Sequence, residues 1–137
     1  MPSLQHWIKA YNAKAPEPYV SEDKYQLYFN PEKGFCEIGF GESMLIVNHL
    51  CGDGRYWKDR IDRLATSLGL HHCGTWCVRK EVKAYIRLFG YKIVRDEILS
   101  DGKHRYYCED KNGNEGLVSP AFVYENGVQA YFVTWEI

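Results

Sequence analysis

The chain has 137 residues, 45% of them hydrophobic and 26% charged, with 17 basic against 18 acidic side chains. That length suits one domain with an ordinary core, and the composition excludes a disordered or low-complexity protein. A formal charge of -1 gives no reason to expect nucleic acid or an anionic membrane as partner.

The longest apolar run, "MLIV", is too short to span a bilayer, and the opening "MPSLQHWIKAY" lacks the apolar core of a secretory signal. The expectation is a cytoplasmic protein with no membrane partner. The five cysteines (Cys36, Cys51, Cys73, Cys77 and Cys108) are odd in number and irregular in spacing, which favours buried thiols in a reducing compartment.

In chain order, Leu4, Trp7, Ile8 and Tyr11 recur at helical spacing behind a possible Ser3 cap, which predicts a helix over residues 3–14. The prolines of "APEPY" end it. "YQLYFN", "FCEIGF" and "SMLIVNHL" then read as three strands joined by the turns "PEKG" and "GE", an antiparallel meander. The third run is almost wholly apolar, as a strand covered on both faces would be.

Residues 55–68 place Trp57, Ile61, Leu64 and Leu68 on one helical face, with Gly69 as a stop. "HHCGTWCV" is a short strand candidate. Residues 80–89 form a further helix, with Val82, Ile86 and Phe89 inward and Gly90 as its stop. From Tyr91 onward the chain reads as strands separated by turns rich in glycine, asparagine and aspartate. Their aromatic residues, among them Tyr106, Tyr107, Phe122 and Trp135, read as core and sheet surface, or as a protein-contact face. The sum is a mixed sheet with helices packed on it, in one domain spanning residues 1–137.

"HLCGDGRYW", residues 49–57, is the stretch most suggestive of chemistry. A strand, a glycine-containing loop and a helix start together make an anion site, because the first helical N–H groups lack intrahelical partners. Gly52 and Gly54 would let a phosphate approach the backbone, and Arg55 would add charge. Asp53 opposes this, since a carboxylate inside such a nest repels an anion. A plain strand-to-helix turn is the alternative.

Read as a unit, residues 44–91 resemble the central part of the GNAT superfamily of N-acetyltransferases. "SMLIVNHL" stands for the fourth strand, "HLCGDG" for the pyrophosphate loop and "RYWKDRIDRLATSLG" for the next helix. "HHCGTWCV" stands for the fifth strand, and "RKEVKAYIRLFGY" for the helix that closes on Gly-Phe in the family and on Gly90-Tyr91 here. The resemblance implies an α+β fold with a central mixed, mostly antiparallel sheet, about three flanking helices and, here, extended C-terminal hairpins. It implies acetyl-coenzyme A (acetyl-CoA) as co-substrate, held by the amides of Leu50, Cys51, Gly52, Asp53, Gly54 and Arg55. The acyl acceptor would be an amine on a small molecule or a protein.

Such chemistry needs a base for the ammonium and an acid for the leaving thiolate. Glu37 and Glu42 are the nearest carboxylates for the first role, and Tyr85 is the candidate for the second. The sequence departs from the family at each point. His49 opens the loop where Gln or Arg is usual, no glutamate lies inside "SMLIVNHL", and the acid-tyrosine position holds Ile86, with Tyr85 about 100° away around the helix. The plainer readings are solvated carboxylates, a packing tyrosine and a structural histidine.

"HHCGTWC" gathers His71, His72, Cys73 and Cys77, but on a strand the two cysteines sit roughly 13 Å apart, too far for one zinc ion. Two functions therefore stand: an acetyl-CoA-dependent N-acetyltransferase, or a non-catalytic binding or assembly protein. Degenerate members of similar size occur among bacteriophage proteins, virion components included. The second reading implies a protein partner or a homo-oligomer.

Overall fold

The structure is a computed structural model and describes residues 1–78 and 81–137. These residues form three helices and eight strands, arranged in two compact units, Met1–Cys73 and Gly74–Ile137.

In the first unit, α1 (Leu4–Lys14) starts where the Ser3 side chain accepts the His6 amide hydrogen, relieving one of the unpartnered amides of a helix start. The chain then forms β1 (Gln26–Asn30), β2 (Gly34–Gly41) and β3 (Met44–Gly52), an antiparallel meander in which β2 pairs with both neighbours. The strand covered on both faces is β2, where Gly34 to Gly39 are all buried, and not β3, where only Leu45 and Val47 are. Apolar content alone does not set burial here: the apolar Met44 and Ile46 of β3 are only half-buried, whereas Glu37 of β2 is buried.

Helix α2 (Gly54–Ser67) buries Trp57, Ile61 and Ala65. Leu68, expected on that face, is 49% exposed, because it is the C-cap residue and has left the helical path. Gly69 follows with φ +74, the left-handed stop that the sequence suggests. Strand β4 (His72–Cys77) crosses from the first unit into the second.

The second unit holds α3 (Val82–Leu88) and the antiparallel meander β5 (Lys92–Ile98), β6 (His104–Glu109), β7 (Glu115–Val123) and β8 (Gln129–Glu136). The expected helix over 80–89 begins with Lys80, which lies outside the described residues. The turns are built as their residues suggest: Asp101, Asp110 and Asn126 side chains accept amide hydrogens from Lys103, from Asn112 and Asn114, and from Val128. One sheet face buries Tyr106, Cys108, Val118 and Trp135. Elsewhere on the unit Trp76 packs on Phe132 and Phe122, with ring centroids 4.6 and 5.6 Å away, and Phe122 is 44% exposed.

The fold class that the resemblance implies is corrected. Strand makes up 43% and helix 24% of the structure, and the strands exceed those of a GNAT fold. The excess has a local cause: the long C-terminal stretch closes into four strands through short Asx turns instead of ending soon after the last helix.

Two backbones meet unusually closely in the first unit. Gly34 (φ +99) is paired with Gly52 (φ +112) across β2 and β3. A Cβ on Gly34 would lie 1.9 Å from the Cys51 carbonyl oxygen, and one on Gly52 would lie 2.1 Å from that of Lys33. Neither neighbour is a side chain that can swing away. Replacing either glycine by alanine is expected to destabilise the protein by about 2–4 kcal/mol, read as a lowered urea midpoint at unchanged slope. Gly69→Ala, with nothing within 4 Å of the added carbon, is the control and should cost less.

Candidate functional site

The helix start at residues 50–55 is where the sequence places an anion site. Leu50 and Cys51 belong to β3 and pair with Cys36 and Phe35, and Gly52 is the last residue of that strand. The glycine therefore serves the close approach to Lys33, and it is not part of an open loop. Asp53 is the N-cap of α2: its Oδ1 accepts the Tyr56 amide hydrogen at 3.1 Å, and its own amide donates to the Lys33 carbonyl at 2.9 Å. Lys33 Nζ lies 3.3 Å from Asp53 Oδ2.

The Tyr56 amide is the main influence holding the Asp53 carboxyl below its usual range, with further help from Lys33 and the Arg55 amide. A carboxylate thus occupies the position at which a helix start receives an anion, and a lysine neutralises it.

A second cluster forms around Glu37, which the sequence suggests is solvated. It is 1% exposed. The register between β2 and β3 shifts between Cys36 and Ile38: Cys36 pairs with Leu50 and Ile38 with Val47, so Asn48 and His49 together oppose Glu37. This is a β-bulge, and its effect is to place two polar side chains beside one carboxylate. Asn48 Nδ2 donates to Glu37 Oε1 at 3.4 Å and to Glu22 Oε2 at 3.0 Å. The Tyr19 hydroxyl donates to Glu37 Oε2 at 2.9 Å.

His49 completes the cluster. Its Nδ1 is 2.6 Å from the Tyr11 hydroxyl, and its Nε2 is 3.7 Å from Glu37 Oε1. The latter contact is an ion pair only when the ring is protonated. Burial lowers the His49 pKa, and the opposing pull of Glu37 and Glu22 is smaller. The ring is therefore neutral at pH 7, and a neutral ring that accepts from Tyr11 at Nδ1 carries its proton on Nε2, facing Glu37. Burial, with Glu37 next, pushes the neighbouring Cys36 thiol up to about 12, which makes it inert as a nucleophile.

Glu42 is exposed in the β2–β3 turn, five residues from Glu37 along the chain, or roughly 16 Å at strand rise. Tyr85 belongs to α3 in the other unit, where its ring meets Phe89 edge-on at 5.0 Å. Tyr11, Tyr19, Glu22 and Asn48 are the cluster members that the sequence reading does not single out. Tyr19 sits just past the helix-breaking prolines, and the bulge that turns Asn48 toward Glu37 has no signature in "MLIVNHL".

No family model and no curated protein matches this sequence. Among the described residues no helix is long and apolar enough to cross a membrane.

Two outcomes follow from the Glu37 cluster. Glu37→Ala removes a buried side chain from β2 together with the acceptor of the Tyr19 hydroxyl and the weaker of the two Asn48 acceptors, and is expected to cost about 3 kcal/mol in urea unfolding, with Glu37→Gln milder because it keeps an acceptor for Tyr19. For His49 the folded pKa lies below the unfolded one, so the unfolded chain binds more protons as the pH falls. Its contribution to stability is complete above the unfolded pKa, near 6.5, and declines as the pH drops below it. A urea midpoint measured from pH 8 to pH 5 should fall, and His49→Gln should flatten that fall.

Proposed function

We propose that this chain is a non-catalytic binding or assembly protein. The observation that supports this reading over an acetyltransferase is the closed start of α2. At that start the Arg55 and Tyr56 amide hydrogens are directed to the Asp53 carboxylate, and the Asp53 amide hydrogen to the Lys33 carbonyl. An incoming diphosphate would have to displace a carboxylate already bonded to the helix and neutralised by Lys33.

The Glu37 cluster points the same way. Among the described residues no buried side-chain nitrogen or oxygen lacks a hydrogen-bond partner. A fully satisfied buried network stiffens a core and fixes one strand register, a role that needs no substrate.

Calorimetric titration of the purified full-length chain with acetyl-CoA tests this. No heat is expected at millimolar ligand. Micromolar binding that Gly54→Glu abolishes would overturn the reading in favour of the transferase.

A further inference from the structure

Beside the closed helix start, the first unit carries an open groove of about 310 Å³ between β1 and α2. Tyr28, Phe29 and Ile38 supply its sheet side, and Tyr56, Arg60 and Leu64 its helix side. Its rim is the outer edge of β1, which among the described residues pairs with β2 alone and ends the strand order. Alternate residues of such an edge leave N–H and C=O groups without strand partners.

The chain treats its two edge strands differently. β5, the other edge, carries Lys92, Arg95, Asp96 and Glu97, and a register irregularity between Ile93 and Arg95. Charges and bulges are the usual guards against unwanted strand pairing. β1 reads Gln-Leu-Tyr-Phe-Asn, with no charge, no proline and an unbroken register, and Tyr28 and Phe29 are 40% and 39% exposed.

The groove also has an electrostatic sign. On α2, Lys58 is 2.7 Å from Asp62 and Arg63 is 3.1 Å from Asp59. Arg60 lies over the Tyr56 ring at 5.0 Å and has no carboxylate within ion-pair distance among the described residues. Lys33 Nζ lies 5.5 Å from the centroid of the same ring. An aromatic wall beside a guanidinium with no acid partner among the described residues suits a ligand carboxylate.

We infer that β1 accepts an extended peptide strand from a partner protein, whose acidic side chain reaches Arg60 and whose apolar side chains rest on Tyr28, Ile38 and Leu64. Main-chain hydrogen bonds to the β1 edge supply the pairing, and Arg60 supplies the choice of sequence. The inference rests on the binding-protein reading and names the partner's chemistry. Its failure is separable: if both the peptide and acetyl-CoA fail to bind, the broader reading stands and this one falls.

The test uses the full-length chain, labelled for amide detection by NMR, and the capped peptide Thr-Val-Thr-Glu-Thr-Val-Thr, whose valines share a face with its glutamate. The peptide is expected to shift the amides of residues 26–30 and slow their hydrogen exchange. Replacing its glutamate with lysine should weaken binding about tenfold or more at low salt. Arg60→Glu, a change at an exposed position, should invert that preference, and Arg60→Gln should abolish it. No shift at residues 26–30 up to about millimolar peptide, or equal affinity for both peptides, overturns the inference. So does a dimer in sedimentation whose formation shifts those same amides without peptide, because the occupant is then a second copy of the chain.

Discussion

The Lys33 carbonyl oxygen is the point on which the first unit turns. It accepts the amide hydrogen of Asp53 and the indole hydrogen of Trp57, each at 2.9 Å. Two residues earlier in the same turn, the Pro31 carbonyl accepts from the Trp7 indole at 2.9 Å. One tight turn between β1 and β2 thus ties down a tryptophan from each of the two helices. That arrangement requires the backbones of Lys33–Gly34 and Cys51–Gly52 to approach so closely that no Cβ fits between them. The glycines are therefore a steric necessity of strand packing, and their spacing before a helix follows from it.

The Glu37 cluster depends on the same meander. β2 is buried along most of its length, so any polar side chain on it needs several donors. A regular β3 would present either Asn48 or His49 to that face, since neighbouring residues point to opposite sides. The bulge presents both. Tyr19 and Tyr11 then close the cluster from outside the sheet, and their rings pack on Phe35 with centroids 5.2 and 5.9 Å away. A charged residue in a central strand is retained here by geometry that matches donors to its two oxygens, and such a network also penalises any slip in strand register.

Much of the secondary structure was legible because it rests on local signals. Ser3, the prolines after Lys14, Gly69, Gly90 and the Asx turns of the second unit all act within a few residues of themselves. The candidate site was legible only in part. Glu37 and His49 could be picked out as residue types, but the spacing of β2 and β3 gives no sign that a bulge will join them. Glu42 and Tyr85 are candidates through the resemblance alone, with no local signal of their own. Helix faces were harder to read than helices: Leu68 fits the apolar period of α2 yet falls outside its last turn, where Ala65 takes the buried position. The size of the sheet is illegible for a related reason. Order of elements along a chain does not fix how many strands a sheet will hold.

A glycine-bearing strand-to-helix junction can serve two ends, and they exclude each other. Free amides at the helix start need an anion, and the anion comes either from a ligand or from the N-cap side chain. Serine or glycine at that position leaves room for a guest. Aspartate is itself the guest, covalently supplied and already aligned with the second and third helical amides. In this chain Lys33 strengthens the choice by neutralising the carboxylate from the neighbouring turn, whose carbonyl also anchors the Asp53 amide. The identity of residue 53 thus carries more functional information than the two glycines beside it. With the helix start closed, the groove between β1 and α2, where Arg60 has no acid partner among the described residues, is the surface left for a ligand.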